Sequence, residues 1–499
     1  MKNAQLIVSK DFKIGKINDR LFGSFIEHMG SVIYNGIFEP GHPKADVNGF
    51  RTDVLDLAKE LQLSVIRYPG GNFTSGYNWE DSIGPQEIRP TKLNLAWRAM
   101  EPNTFGLNEF IEWAKQIEAA PIMTINLGTR GIDEARNIVE YCNFRQGSFW
   151  SDLRRSYGQT EPYGIKIWCL GNELDGEWQI ARKTPDEYGR LACEAAKVMK
   201  LIDPQIELVA VGSSARHMPT FPEWDQTVLM HTYDQVDYLS LHAYIDKKGD
   251  DTATYLARPI EMEEQIKDVI ATCDYVKAKL RSHKTMGLSF DEWNVHRNPD
   301  IEYTPWQIGS PFDWCCFTME DALVFGGMVL SLLRNAGRIQ IACQSLLVNT
   351  IPLILTEKNG KAWRNATFYP FFHASKFGRG EVLNHVINTP QYDTNQYNDV
   401  PAIDSVSVYN EEKGELTVFA INRSDEPIEL KIDIRDFKRY KVKEHIVLKN
   451  DNLAASNTAQ APFEIYPVTS ENTTVIGGYS QSLLDKYSWN VIRYAVFNE

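Results

Sequence analysis

Eight short apolar runs, each followed by an amphipathic stretch, recur between about residues 17 and 385, and this alternation limits the chain to very few folds. The runs are Leu21–Phe25, Ser64–Tyr68, Ile122–Asn126, Ile165–Leu170, Glu207–Val211, Tyr238–His242, Gly287–Phe290 and Arg338–Cys343. Between them, Phe50–Gln62 places Val54, Leu55, Ala58 and Leu61 on one helical face, and Leu107–Ala119 does the same with Phe110, Ile111, Ala114 and Ile117. Thr184-Pro185-Asp186-Glu187 reads as a helix start, with Thr as N-cap, Pro in the first turn and Glu three residues on. Eight such β/α units predict a (β/α)₈ barrel. A doubly wound open sheet is the alternative, weakened because no G-x-G-x-x-G follows the first strand.

The texture changes after about residue 386. Val406–Tyr409, Glu415–Ile421, Ile428–Ile434, Tyr440–Leu448 and Trp489–Phe497 read as strands separated by polar turns, the pattern of a β-sandwich of jelly-roll type. The expected organisation is a catalytic barrel over 17–385 and a β-sandwich over 386–499, joined by strands from the first 16 residues.

Composition enters by exclusion. A formal net charge of −14 argues against nucleic acid, whose phosphates need basic surfaces. The seven cysteines are scattered and form no C-x-x-C, which suits a reducing compartment without structural disulfides or a zinc site. Leu6-Ile7-Val8 is too short an apolar run for a signal peptide, and Ala322–Leu333 is too short to span a bilayer. A cytoplasmic protein with no membrane partner is expected.

Barrel enzymes place their chemistry at the C-terminal ends of the strands. There this chain sets Glu27-His28, Arg67 with Gly70-Gly71-Asn72, Asn126, Asn172-Glu173, His242-Ala243-Tyr244 and Asp291-Glu292-Trp293-Asn294. Glycoside cleavage needs one carboxyl to protonate the leaving oxygen and another to attack or to activate water. Strands four and seven face each other across a barrel mouth, so Glu173 and Glu292 can stand roughly 5–5.5 Å apart, the spacing for retention. The Asn-Glu dipeptide alone means nothing, since it recurs at Asn108-Glu109, Asn410-Glu411 and Asn498-Glu499. Its position after Ile165–Leu170 gives it weight. A silent sugar-binding barrel is the competing class, which retention of both carboxylates opposes. A metal-dependent barrel enzyme is another, and no H-E-x-x-H supports it.

Four strings resemble glycoside hydrolase family 51, the intracellular α-L-arabinofuranosidases: Gly23-Ser24-Phe25-Ile26-Glu27-His28, Arg67-Tyr68-Pro69-Gly70-Gly71-Asn72-Phe73, Trp168-Cys169-Leu170-Gly171-Asn172-Glu173 and Ser289-Phe290-Asp291-Glu292-Trp293-Asn294. The likeness extends to Trp489-Asn490-Val491-Ile492-Arg493. It implies a barrel with a β-sandwich, a retaining mechanism, no metal or cofactor, arabinose-containing oligosaccharides as substrates, and a homo-oligomer, often a hexamer. It makes Glu173 the acid/base and Glu292 the nucleophile. Glu27, Asn72 and Asn172 become partners of sugar hydroxyls, Tyr244 a neighbour of the nucleophile, and Arg67 and His242 the residues that hold the carboxylates. Arg67 could instead be a barrel ion pair, and His242 a satisfied core histidine.

The sequence departs from the family pattern twice. Leu346-Leu347-Val348-Asn349 stands where the family has Gln-Leu-Val-Asn, and His296 replaces the usual Trp soon after the nucleophile. Both positions are expected to line the sugar site. Leu346 offers no hydrogen bond, so weak arabinofuranosidase activity, or a preference for a related furanoside such as a β-D-galactofuranoside, is the alternative expectation. Gln344, two residues earlier on the same face, is a partial substitute.

Overall fold

The structure, a computed structural model, describes residues 2–437 and 439–497. Eight parallel strands close into a barrel. They are β1 (Gly23–Phe25), β2 (Val65–Tyr68), β3 (Ala120–Thr124), β4 (Ile167–Cys169), β5 (Glu207–Ala210), β6 (Tyr238–Asp246), β7 (Gly287–His296) and β8 (Ile339–Gln344). Pairing of Cys343 with Gly23 and of Gln344 with Ser24 closes the ring. Each run anticipated from the sequence overlaps one of these strands, because strands covered on both faces read as near-continuous apolar segments.

The strands differ in length where it matters. β6 and β7 run four and six residues beyond the expected ends, His242 and Phe290, and stay paired as far as Asp246 and His296. Between Ser240–Ser289 and His242–Glu292 the register slips, so two steps along β6 match three along β7. Such a bulge re-aims side chains. In a regular strand Asp291 and Glu292 would point to opposite faces; here both reach the same buried guanidinium.

Helix α1 (Thr52–Glu60) buries Val54, Leu55 and Ala58, and α2 (Leu107–Gln116) buries Phe110, Ile111 and Ala114, on the expected faces. Helix α3 (Pro185–Ile202) begins with the anticipated capping box, Thr184 N donating to Glu187 Oε2 (2.8 Å) and Glu187 N to Thr184 Oγ1 (3.3 Å). Helix α4 (Met319–Arg334) is buried on every side from Met319 to Leu333. Trp293 of β7 packs on its Phe325, and Trp489 of the sheet region lies against its Gly326. The longest apolar segment of the sequence is therefore an internal helix between barrel and sheets. Among the described residues no helix is long and apolar enough to cross a membrane.

Beyond the barrel lie a five-stranded and a seven-stranded sheet. Lys2–Ile7 pairs in parallel with Ile428–Asp433, and Lys13–Lys16 pairs with Glu381–Leu383, so N-terminal strands enter both sheets. A second apolar core, which includes Leu6, Val418, Leu430 and Ile492, fills the space between them. The sheet region starts at Glu381, before the expected residue 386: a helix over Phe368–Phe377 ends at Gly378 and the chain passes directly into this short strand. The polar strands Thr473–Ile476 and Tyr479–Leu484 are not anticipated by hydropathy.

Candidate active site

Just past β1, Glu27 is buried, and its Oε1 accepts hydrogen bonds from Phe73 N and Trp97 Nε1, both at 2.8 Å. The loop after β2 fits around this carboxyl. Gly71 has φ +24°, and a Cβ there would lie 2.3 Å from Glu27 Oε2, so only glycine lets the turn close and present Asn72. After β4, Asn172 donates to Asn72 Oδ1 (3.1 Å) and accepts from Arg67 Nη2 (2.7 Å). It thus ties the sugar-facing loop to the buried cation. Glu173 follows with φ +45°, a left-handed backbone uncommon for a glutamate. The local turn holds it there, Gly176 N donating to Glu173 O (2.9 Å).

Charge is concentrated beneath. Arg67 donates to Glu292 Oε1 (2.7 Å), and its Nε lies 3.7 Å from Asp291 Oδ2. Tyr244 OH donates to Glu292 Oε2 (2.9 Å) and also bonds Ser345 Oγ (2.7 Å). His242 stands between the carboxyls, with Nδ1 2.9 Å from Glu173 Oε1 and 3.6 Å from Glu292 Oε2, and Nε2 3.2 Å from Asp291 Oδ1. Burial alone would keep this imidazole neutral, but the surrounding carboxylates, Glu292 foremost, raise its pKa well above the usual value. Burial pushes the Asp291 carboxyl up as well, and Arg67 and His242 outweigh it and hold the group below the normal range.

Glu173 behaves differently. Burial and then the negative charge of Glu292 raise its pKa, against donors from His242 and from Trp178 Nε1, 2.7 Å from Oε2. A carboxyl kept protonated beside a second carboxylate is the arrangement of an acid and a nucleophile. Glu27 is pushed up to about 8, chiefly by burial.

One oxygen each from Glu173 and Glu292, with a nitrogen of His242, lie within 4.8 Å of one another. Three such groups can in principle ligate a metal. Their donors and acceptors are, however, already engaged: Arg67 and Tyr244 on the two oxygens of Glu292, His242 and Trp178 on those of Glu173, and Asp291 on the second imidazole nitrogen. A guanidinium 2.7 Å from Glu292 also repels a second cation. The donor set fits proton chemistry.

Two cavities meet at Glu173. A small one of about 230 Å³ is lined by Glu27, Asn72, Trp97, Tyr244 and Glu292, and by His296, Phe312, Asp313, Leu346 and Ile351. A larger one of about 650 Å³ is lined by Trp178, Arg216, His217, His242, Tyr244 and Lys248. Leu346 and His296 therefore line the site, as expected. Gln344 does not substitute for the missing amide: it accepts from Ser24 Oγ (3.0 Å) and donates to Leu346 O (3.1 Å), below the cavity. Asn172 bonds Asn72, which lines the small cavity. His28 bonds Glu101 (2.7 Å) and Tyr68 OH (2.8 Å) and is a buried structural residue. Asp291, Trp97, Trp178, Ser345 and Asp313 join the site without having been singled out from the sequence. Asp291 alone had a signal, its place beside Glu292 in the strand-end string.

Comparison with known proteins agrees with this geometry. A family model described as the α-L-arabinofuranosidase C-terminal domain matches residues 291–488, and one described as the α-L-arabinofuranosidase 1 domain matches residues 57–254. An intracellular exo-α-(1→5)-L-arabinofuranosidase of Bacillus subtilis is 52% identical over 99% of both chains. One of Halalkalibacterium halodurans is 53% identical over 98% of both. The solved structure of a family 51 α-L-arabinofuranosidase from Bifidobacterium longum superposes with a TM-score of 0.95 at 37% identity, covering 99% of this chain and 100% of that one.

Proposed function

Since the chain belongs to the α-L-arabinofuranosidases of glycoside hydrolase family 51, we propose that it removes terminal non-reducing α-L-arabinofuranosyl residues from arabinose-containing oligosaccharides by double displacement. The observation that carries the reading is the pair Glu173 and Glu292, with carboxyl oxygens within 4.8 Å across a cavity of about 230 Å³. That spacing is in keeping with direct attack by one carboxylate, the closer of the two arrangements of paired carboxyls in glycoside cleavage.

The sugar occupies the small cavity, and the leaving group occupies the larger one beyond Glu173. Glu292, fixed by Arg67 and Tyr244, attacks the anomeric carbon. Glu173 gives its proton to the departing oxygen. Once the leaving group has gone, Glu173 takes a proton from water, which displaces Glu292 from the sugar. Glu27 and Asn72 hold ring hydroxyls; one amide hydrogen of Asn172 goes to Asn72, and the second is available to the sugar. A cavity this small admits one pentose ring, in keeping with exo action. The linkage named for the two bacterial relatives supports α-(1→5) bonds as substrate, and their being named intracellular supports a cytoplasmic location. These relatives favour arabinofuranosides over the galactofuranoside alternative. The catalytic work is assigned to the barrel segment 17–385, with the sheets formed by the first 16 residues and by 386–499 as its support. Assembly into a homo-oligomer, a hexamer by family resemblance, is part of the same reading and is checked by light scattering.

Glu292→Ala should abolish turnover, and a mechanism-based arabinofuranosyl inhibitor should label Glu292 alone. Glu173→Ala should slow glycosylation far more for poor leaving groups than for nitrophenyl glycosides. Labelling elsewhere, or equal losses on both substrates, refutes the assignment.

A further inference from the structure

The small cavity is lined by polar and apolar groups from different parts of the rim. Glu27 and Asn72 follow β1 and β2. His296 ends β7, two strands around the ring from β1 and three from β2, and Phe312, Leu346 and Ile351 add apolar lining. Other polar groups of the lining are already committed. Trp97 Nε1 is spent on Glu27, Ser345 Oγ on Tyr244, and Tyr244 OH on Glu292. His296 and Asp313 remain.

His296 is the last residue of β7, four positions beyond Glu292 and hence on the same face, two pleats nearer the mouth. It is paired across the ladder with Asp246 of β6. Its Nδ1 lies 3.9 Å from Asp246 Oδ2, and its Nε2 lies 3.5 Å from Asp313 Oδ2. Both separations exceed a normal hydrogen bond, so the ring N–H groups retain donor capacity while the carboxylates fix the ring. The contact with Asp313 is the foremost cause that raises the imidazole's pKa, which favours the form with two donors. Asp313 is itself anchored: its carbonyl accepts from Ile351 N (3.0 Å), and the carbonyl of Phe312 accepts from Thr350 Oγ1 (2.9 Å).

Ring connectivity decides which sugar group meets this pair. Starting from the anomeric carbon, one path around a furanose carries the two secondary hydroxyls, and the other leads through the ring oxygen to the carbon bearing the exocyclic CH₂OH. With the secondary hydroxyls at Glu27 and Asn72, beyond β1 and β2, the exocyclic group turns away from them, toward the part of the rim where β7 ends. We propose that His296, steadied by Asp313, binds the primary hydroxyl of the arabinofuranosyl ring and is the residue that selects for it. This rests on the arabinofuranosidase reading above. It assigns to a histidine and an aspartate the polar contact that Leu346 cannot make.

The test compares p-nitrophenyl α-L-arabinofuranoside with its 5-deoxy analogue, as kcat/KM on the full-length enzyme. The wild type should prefer the parent glycoside by about three- to tenfold, the loss expected when one hydrogen bond goes unmade at a donor that water can still reach. In His296→Phe the ratio should fall to near one, and in Asp313→Asn it should lie between. A ratio of two substrates on one preparation does not depend on how much of a variant is folded. Equal activity of the wild type on both substrates overturns the proposal, as does an unchanged ratio in His296→Phe. No turnover of the parent glycoside by the wild type overturns the arabinofuranosidase reading itself.

Discussion

Trp178→Phe should move the basic limb of the pH profile upward. Trp178 Nε1 donates to Glu173 Oε2 at 2.7 Å, and phenylalanine keeps the aromatic plane while removing that donor. The bond favours the ionised carboxylate, so its loss raises a pKa that burial and Glu292 have already raised. A hydrogen bond to a charged group contributes about 1.5–3 kcal/mol, and one pKa unit corresponds to about 1.4 kcal/mol, which sets a ceiling of about one to two units. Trp178 is 52% exposed, so water can replace the indole and reduce the shift to about half a unit to one unit. Glu173 works as an acid only while protonated, so the limb that reports its ionisation moves to higher pH. The assay is kcat/KM against pH, which reads the free enzyme, on an arabinofuranoside whose leaving group needs the proton. A limb that stays in place or moves down would refute both the sign and the assignment of that limb to Glu173.

Arg67→Met removes a fully buried cation from Asp291 and Glu292; the broken network should cost about 3–5 kcal/mol of stability, seen as a lowered urea midpoint, together with most of the activity. Glu27→Gln keeps an acceptor for Phe73 N and Trp97 Nε1, so its kcat/KM at pH 7 should exceed that of Glu27→Ala. The same substitution should flatten the stability profile. With a folded pKa of about 8 against an ordinary 4.5, Glu27 stays protonated in the fold while the unfolded chain ionises, so its contribution to stability declines as pH rises from about 4.5 to 8, and glutamine lacks that decline. Trp489→Ala removes a buried ring packed on α4 and should cost about 3–5 kcal/mol by calorimetry, with kcat/KM per folded molecule at 25 °C little changed.

The barrel was legible because its strands are apolar on both faces; all eight lie within a few residues of their expected places. The reading stopped short where hydropathy stopped. Ala243–Asp246 of β6 and Asp291–His296 of β7 continue as paired strand, but Tyr244, Glu292 and His296 face a cavity rather than a core, and Asp291 and Asn294 are buried polar groups. The features that end the apolar signal are thus the ones that carry the chemistry. In the sheets, Thr473–Ile476 and Tyr479–Leu484 are threonine- and serine-rich, with partners supplied by neighbouring strands rather than by their own pattern.

Glu173 and Glu292 could be read from sequence because each directly follows an apolar run, and strand order across a barrel then brings them face to face. Asp291 showed only its place in the same string, since strict alternation turns it away from Glu292; with the register slip against β6, both carboxylates reach Arg67. Leu346 shows a different limit. Its place at the sugar was visible, and the loss of an amide there implied a weakened grip on arabinofuranosides. That inference treated one position as independent of the rest of the wall. In the structure, Leu346 lines the same cavity as His296 and Asp313, residues 50 and 33 positions earlier in the chain. Asp313 reaches it because Ile351 N binds its carbonyl, a contact that no local pattern announces. A hydroxyl that loses one partner can gain another wherever the fold brings a donor within reach. The specificity of a cavity this small is therefore a property of its whole wall, and reverting Leu346 alone tests less than removing His296.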